Sequence, residues 1–306
     1  MKSVCLAILN YNGRKHLEAL LPTAVVAANN YAGKCSILVL DNKSTEPDVE
    51  WIKRTYPAIR VEEAPENEYL YSYNWLLPHL EEEIIVILNN DVRLKEDFIL
   101  PLIGHFRNSD VFAVSATSRD WNNKNYTFGP IGLHNHHGNY YWNPEFNRQE
   151  LSYTLFTSGG FMAVDREKFL LLGGFNRLFY PAYGEDLDLC FRAWRRGWKC
   201  LFEPKSIVFH RESASWGSED TRVNRMTLRS SLLFQYSSLP KAVSWMESFS
   251  FILITMVRKL LGGDFWYVKV WFSTWTEWIR VRGHHTHLMT SKKELLTILL
   301  GLKTPI

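Results

Sequence analysis

Residues 84–91 read Ile84-Ile85-Val86-Ile87-Leu88-Asn89-Asn90-Asp91. Five consecutive apolar side chains, four of them β-branched, run straight into two asparagines and a carboxylate. A strand that is apolar at every position, not at every second one, has no face to give to water. It belongs inside a sheet covered on both sides. The same shape occurs twice upstream. Val4–Leu9 ends in Asn10-Tyr11-Asn12-Gly13, and Ser36–Leu40 ends at Asp41. Helical spacing separates these runs: Leu17, Leu20, Leu21 and Val25 within His16–Asn30, then a short helix over Pro47–Tyr56. Ile59–Val61 reads as a weak strand, and Tyr69–Leu80 as a helix with Pro78 near its end. Lys95–Phe106 is helical again and Val111–Val114 strand-like. This alternation predicts an α/β protein with a mostly parallel central sheet and helices on both faces. Right-handed crossovers then bring the strand C-termini to one edge, where such sheets bind ligands. Asn10–Gly13, Asp41–Ser44 and Asn89–Asp91 are therefore expected to converge.

Beyond residue 118 the pattern loosens. Residues 119–156 are rich in Asn, His, Tyr and Gly and lack periodicity. Roughly 38 residues far exceed an ordinary connection, which favours a substrate-facing region with a hairpin over a plain linker. Phe156–Leu172 holds a Gly-Gly turn and an apolar run. Glu185–Arg196 reads as a helix with an apolar stripe of Leu189, Phe191, Ala193 and Trp194, stopped by Gly197. Cys200–Phe202 and Ile207–Phe209 read as two short strands broken by Pro204, and helical patterns dominate afterwards. There is no internal repeat.

Composition narrows the class. The 306 residues are 46% hydrophobic and 22% charged, which is globular and not disordered. A net charge of +3 is unevenly spread. From Lys241 to Ile306 nine Lys/Arg stand against four Asp/Glu, so this stretch carries +5 and residues 1–240 carry −2. Five of the twelve tryptophans lie there too: Trp245, Trp266, Trp271, Trp275 and Trp278. The four cysteines form no Cys-x-x-Cys pair, and three sit beside apolar stretches, as buried thiols in a reducing compartment do. No secretory signal opens the chain, and no run reaches the roughly 18 apolar residues of a spanning helix. The longest, Phe249–Val257, ends at Arg258-Lys259. With a net-acidic body and no basic run, nucleic-acid binding is not expected.

The carboxylates at the strand ends carry the chemistry. Asp91 and Asp41 each read equally well as turn or capping residues. Two strands of one sheet ending in Asp at the ligand edge favour a functional reading, since oxygen ligands plus substrate phosphates suit Mg²⁺ or Mn²⁺. A third cluster, Gly184-Glu185-Asp186-Leu187-Asp188, precedes a helix. Interaction with the helix dipole explains Glu185 adequately, but three acids in four residues exceed what capping needs, and one of them is a candidate general base. His210, at the end of an apolar strand, carries little weight on spacing alone.

Taken in order, these pieces resemble family 2 glycosyltransferases with the GT-A fold, in particular the rhamnosyltransferase-like branch of bacterial polysaccharide biosynthesis. The resemblance runs from about Ser3 to Gly217. It rests on Ala7-Ile8-Leu9-Asn10-Tyr11-Asn12-Gly13, Leu40-Asp41-Asn42-Lys43-Ser44-Thr45 and Leu88-Asn89-Asn90-Asp91-Val92. Ser158-Gly159-Gly160-Phe161, Gly173-Gly174-Phe175, Gly184 to Cys190, Val208-Phe209-His210 and Ser213-Ala214-Ser215 complete it. It implies a catalytic domain over residues 1–217, divided near residue 118 into nucleotide-sugar and acceptor halves, and a helical, Trp-rich basic region over 218–306. By resemblance Asn10, Tyr11 and Asn12 line the nucleotide pocket, Asp41 recognises the base, and Asn74 approaches the nucleotide. Asn89-Asn90-Asp91 stands at the Asp-x-Asp motif with Asn in the first position. Asn90 then belongs to the nucleotide-sugar site, Asp91 is a ligand of a divalent metal, and His210 is a further metal or diphosphate ligand. Gly159 and Gly160 allow close approach to sugar or acceptor. Asp186 is the catalytic base, with Glu185 beside it.

The implied activity is inverting transfer of a sugar from dTDP-rhamnose or a UDP-sugar to a hydroxyl of a glycan or lipid-linked glycan. Two alternatives stand beside it: a catalytically idle glycan- or nucleotide-binding scaffold at the membrane, and a sugar-phosphate nucleotidyltransferase. The second wants a Gly-rich basic phosphate loop, and Asn10–Arg14 offers one Gly and one Arg. A helix through Phe265–Arg282 would align Trp271, Trp275, Trp278 and Arg282 on one face. That face has three readings: packing on the catalytic domain, a membrane-surface helix, or a homo-oligomer contact. The implied location is the cytoplasm, on the inner face of the cell membrane where the helix meets lipid. His284, His285 and His287 suggest a metal site less than they suggest a polar surface turn.

Overall fold

The computed structural model describes residues 1–136, 139–147, 149–211, 221–239, 245–281, 291–303 and 306. The motif residues Ser213, Ala214 and Ser215, Arg282, and His284, His285 and His287 lie outside them. In chain order the elements begin β1 (Val4–Asn10), α1 (Arg14–Asn30), β2 (Cys35–Asp41), α2 (Asp48–Thr55), β3 (Arg60–Glu63), α3 (Ser72–Leu76), β4 (Ile84–Asn89) and β5 (Val92–Leu94). Then follow α4 (Ile99–Gly104), β6 (Val111–Asp120), β7 (Tyr126–Phe128), β8 (Ile131–His136), β9 (Asn139–Pro144), β10 (Ser152–Tyr153), β11 (Phe161–Asp165) and α5 (Arg166–Leu171). The chain continues through α6 (Glu185–Arg195), β12 (Lys199–His210), α7 (Thr221–Ser238), α8 (Trp245–Leu261), α9 (Phe265–Val281) and α10 (Lys292–Lys303).

One sheet organises the molecule, with strand order β3-β2-β1-β4-β11-β6-β12-β10. β1 pairs in parallel with β2 and β4, and β2 with β3. β11 is inserted antiparallel between β4 and β6. The register aligns Asn10 with Asp41 and Leu9 with Asn89, so the polar ends of β1, β2 and β4 share one edge, as expected. Alternate residues of the apolar strands feed two cores. Val4, Leu6, Ile8, Ile84 and Val86 pack toward α1 and α4 through Leu17, Leu21 and Leu102. Cys5, Ala7, Ile85 and Ile87 join Tyr71, Phe169 and Phe191 on the other face. All of the β1 and β4 residues named are fully buried, and such burial contributes at most about 1.5–3 kcal/mol per aliphatic side chain.

Several local expectations change. Tyr69–Leu80 is not one helix but α3 between two 3₁₀ turns, Tyr69–Tyr71 and Leu77–His79. Pro78 lies in the second turn, where a regular helix would lose a hydrogen bond at that position. Lys95–Phe106 shortens to α4 and a 3₁₀ turn. Pro204 does not split a strand in two. β12 is continuous, and its register against β6 shifts between Glu203 and Ile207, so the proline sits where no ladder donor is required. The 119–156 region does contain a hairpin, β8–β9.

The C-terminal helices are packed on the second core. Leu233 and Phe234 of α7, Trp278 of α9, and Ile298 and Leu302 of α10 belong to the same apolar cluster as β4 and α6. The tryptophan face therefore packs on α7, with Trp275 left 37% exposed. Trp278 is buried, and Trp275 and Trp278 both pack on Tyr236 of α7, with ring centroids 5.5 and 5.7 Å away. Trp271 stacks on Trp275 at 5.8 Å. Among the described residues no helix is long and apolar enough to cross a membrane.

Candidate active site

The edge formed by β1, β2 and β4 is a closed polar network. Asn10 is fully buried, and its Nδ2 donates to Asp48 Oδ2 at 2.9 Å and lies 3.3 Å from Asp41 Oδ1. Its Oδ1 accepts from Asn90 Nδ2 at 2.9 Å. Asp41, also buried, accepts from the Ser44 hydroxyl at 2.6 Å and from the Ser44 amide at 2.9 Å. Asn12 adopts φ 48°, a left-handed conformation that asparagine tolerates. Its Oδ1 accepts from the amides of Thr45 at 2.8 Å and Glu46 at 3.1 Å. Gly13 is required between these groups, because a Cβ there would sit 1.9 Å from Asn90 Nδ2 and 2.6 Å from Asn10 Oδ1. Tyr11 stands free of this network at 48% exposure.

Asp48 was not legible as a site residue. It is the first residue of α2, where an acid ordinarily answers the helix dipole. Here it is fully buried, and its Oδ2 accepts from both Asn10 Nδ2 and the Gly13 amide, each at 2.9 Å. Asn74, expected to approach the nucleotide, is bonded to the Phe175 backbone. Its Nδ2 donates to the Phe175 carbonyl at 2.8 Å and its Oδ1 accepts from the Phe175 amide at 2.7 Å. Both ends of the side chain thus hold the Gly173-Gly174-Phe175 loop.

Asp91 and His210 meet where β5 pairs antiparallel with the end of β12, His210 opposite Val92. The Arg211 amide donates to the Asp91 carbonyl at 3.0 Å and fixes the corner. Asp91 Oδ1 lies 3.4 Å from His210 Nε2 but not in hydrogen-bonding geometry, and this buried oxygen has no hydrogen-bond partner. A buried carboxylate oxygen without a donor is costly, and a cation shared with the imidazole would remove the cost. The donor set, one carboxylate oxygen and one imidazole nitrogen, could serve a divalent cation, the carboxylate suiting Mg²⁺ or Mn²⁺. Among the described residues no three His, Cys, Asp or Glu groups come together to hold a metal. The pair would therefore leave most coordination positions to phosphate oxygens and water.

The third corner is the start of α6. Asp186 Oδ1 accepts from the Leu187 amide at 2.8 Å and its Oδ2 from the Gly159 amide at 3.2 Å. Burial nonetheless holds its pKa above the usual aspartate value, these hydrogen bonds working against the rise. Glu185 is buried with Oε2 unpartnered, and burial, reinforced by the charge of Asp186, pushes it up to about 8. Asp188 has a different duty. Its Oδ2 accepts from Arg192 Nε at 2.7 Å, and Arg192 donates to the carbonyls of Leu172 at 2.7 Å and Gly174 at 2.8 Å. Arg192 and Asn74 grip the same Gly-Gly-Phe loop from two sides.

A cavity of about 180 Å³ opens on Glu185 and Asp186, lined also by Trp142 of β9, Phe156, and Thr227 and Ser230 of α7. Nothing in the sequence marked α7 as part of this site. Arg229 of the same helix donates to the carbonyls of Leu178 at 3.1 Å and Tyr180 at 3.2 Å, ahead of Glu185. It also pairs with Glu277 of α9, Nε to Oε2 at 3.0 Å.

The corners are joined through the Gly159-Gly160 turn that leads into β11. The Gly160 carbonyl accepts from the Asn89 amide at 2.8 Å, and the Gly159 amide donates to Asp186. Both glycines approach protein groups closely: a Cβ on Gly159 would lie 2.8 Å from Leu70 Cδ1, and one on Gly160 2.9 Å from Asn89 Nδ2. Asn10, Asp41 and Asn90 form one hydrogen-bonded group, Asp91 and His210 a facing pair, and Gly159 and Asp186 a third contact.

Comparison with known proteins bears on the fold and the family. A curated relative from Sinorhizobium fredii, uncharacterized protein y4gI, is 26% identical over 235 residues, 71% of this chain. This chain spans only 25% of that relative's length. Among solved structures, GalNAc-T7 with UDP, GalNAc and Mn²⁺ superposes with a TM-score of 0.61 at 16% identity, over 78% of this chain and 48% of that one. The mannosyltransferase PcManGT from Pyrobaculum calidifontis, in complex with GDP-Man and Mn²⁺, gives 0.57 at 17% identity, over 98% of this chain and 79% of that one. At such identities the likeness speaks for the fold, which is GT-A. Residues 2–227 match the sequence family described as "Glycosyltransferase like family 2".

Proposed function

The chain belongs to glycosyltransferase-like family 2, and from that premise we propose that it is an inverting enzyme. It moves a sugar from a nucleoside-diphosphate donor to a hydroxyl of a glycan or lipid-linked glycan, at the inner face of the cell membrane. The donor is dTDP-rhamnose or a UDP-sugar. One observation carries the reading: a buried carboxylate of raised pKa opens on a cavity, and the Gly159-Gly160 turn ties it to Asn89, two residues before an aspartate that faces a histidine unbonded.

In this mechanism the donor's base and ribose lie along the edge of Asn10, Tyr11, Asn12, Asp41 and Asn90, with exposed Tyr11 free to close over them. Asp91 and His210 would hold a divalent ion, which when bound neutralises charge on the departing diphosphate. Mn²⁺ in the GalNAc-T7 and PcManGT structures supports that choice of metal. The acceptor hydroxyl enters the cavity beside Asp186. Asp186 takes the hydroxyl proton as the oxygen bonds to the anomeric carbon and the bond from that carbon to the diphosphate breaks. A single displacement inverts the centre. The raised pKa of Asp186 makes it a stronger base than an exposed aspartate, provided it is ionised. Glu185 stands beside it at the buried start of α6, its own pKa pushed up to about 8 by burial and by the charge of Asp186.

The test is a thermal-shift screen of UDP, dTDP and GDP, each with and without Mn²⁺, on the wild type and on Asp91→Ala. A nucleotide at about 100 times its dissociation constant should raise Tm by ~5–10 °C. The Mn²⁺-dependent part should vanish in Asp91→Ala. No shift with any nucleotide overturns the proposal.

A further inference from the structure

Exposed apolar side chains concentrate on the hairpin of α8 and α9. Leu253, Ile254, Val257, Leu260 and Leu261 of α8 are all exposed, Leu261 to 85%. At the helical repeat these five fall within one arc of roughly 120°. The Gly262-Gly263-Asp264 turn follows, and α9 opens on Phe265, 68% exposed. Phe272 and Ile279 continue that stripe at seven-residue intervals and are exposed as well. This surface is separate from the tryptophan face, which packs on α7.

The charges around it are one-sided. Arg258 borders the α8 stripe, and Lys269 and Arg280 border the α9 stripe, all three exposed. Among the described side chains of the hairpin, both acids are neutralised. Asp264 pairs with Lys259 at 2.9 Å, and Glu277 pairs with Arg229. An apolar stripe flanked by unopposed cations complements an anionic lipid surface. It does not complement itself: a symmetric pair of copies would bring two sets of cations, each of Arg258, Lys269 and Arg280, to one interface. With 17 residues each and no spanning capacity, α8 and α9 would lie along the surface and not cross it.

We propose that the exposed face of the α8–α9 hairpin, from Leu253 to Ile279, seats the protein on an anionic membrane. This deepens the reading that places the acceptor at the membrane, and its test contains no sugar donor, so the two fail separately. The full chain is sedimented with vesicles of phosphatidylcholine alone and of equal parts phosphatidylcholine and phosphatidylglycerol, at low and high salt. Binding should favour the anionic vesicles and fall with salt. Phe272→Glu, and independently Ile254→Glu on the other helix, should weaken partitioning about tenfold or more. Lys269→Glu with Arg280→Glu should do the same, at about fivefold per cation lost. Leu100→Glu, an exposed apolar site on α4, should leave it unchanged. Unfolding curves matching the wild type confirm that each variant is folded. Equal binding by the hairpin variants, or no binding by the wild type, overturns the proposal. So does a dimer in lipid-free solution that Phe272→Glu converts to monomer, because the face would then belong to a second copy.

Discussion

At the donor edge, Asn10, Asp41, Asp48 and Asn90 come from four separate segments and are bound to one another at 2.9–3.3 Å. At the base corner, by contrast, Glu185 has an unpartnered oxygen, and the pKa values of both Glu185 and Asp186 are raised by burial. Both corners are buried and polar, so burial alone does not distinguish them. What differs is how the polar groups are tied. At the donor edge side chain binds side chain, although Asp48 Oδ1 has no partner. At α6 the Asp186 carboxylate accepts from backbone amides, and burial outweighs those bonds, so its affinity for a proton exceeds that of an exposed aspartate.

The contrast can be broken most visibly at Asp186. Asp186→Asn should lower turnover by about 10²–10⁴-fold while leaving the nucleotide-induced thermal shift unchanged. Normal turnover would remove the base from the mechanism, and a lost thermal shift would mean that the two corners are one. Asp48→Ala comes next. It leaves the Gly13 amide and one Asn10 donor without their acceptor, at a cost of about 2–3 kcal/mol in urea unfolding. It should also weaken nucleotide binding. A loss below about 0.5 kcal/mol would show that the edge is not held by this hub.

The smallest effect sharpens the other side. Glu185 titrates near its ordinary 4.5 when unfolded and near about 8 when folded. The folded state therefore holds the proton more tightly. The stability tied to it is complete below about pH 4.5 and is lost as pH rises through about 8. Glu185→Gln has no proton to lose. The stability of the variant relative to wild type should rise by about 1 kcal/mol between pH 6 and pH 7, read from denaturant unfolding at each pH. Parallel curves would mean that Glu185 is not buried as a neutral acid.

How much was legible follows from what a linear pattern can encode. Continuous apolar runs at Val4–Leu9 and Ile84–Leu88 report burial on both faces, and the polar residues after them report where the strands stop. The sheet and its ligand edge therefore follow from sequence. The direction and neighbours of β11 do not, because antiparallel insertion between β4 and β6 leaves no mark on its own five residues. Asp48 is hidden for a different reason: an acid in the first turn of a helix has an ordinary explanation that masks a buried one. Asp188 sits in a recognisable motif, yet the loop that it and Asn74 help to hold leaves no mark in a linear pattern. In α9 the tryptophans mark an apolar face correctly, but periodicity cannot say whether that face meets lipid or Tyr236.

The placement of β11 has one more consequence. β6 ends at Asp120 and β11 begins at Phe161, and the two strands are neighbours with Met162 opposite Ser115. Residues 121–160 thus form an excursion whose two ends are pinned side by side in the sheet. Within it, the β8–β9 hairpin brings Trp142 to the cavity wall, while the donor edge lies on β1, β2 and β4, across β11. Not all of the excursion is loose: β7 returns to β6 and β10 to β12, and Leu155 is fully buried. The β8–β9 hairpin, a two-stranded sheet of its own, is where length can change, since each doubling of a loop costs only about 0.6 kcal/mol in closure entropy. A change there would reshape the cavity wall beside Asp186 without touching Asp91 and His210, to which the proposed mechanism gives the leaving group.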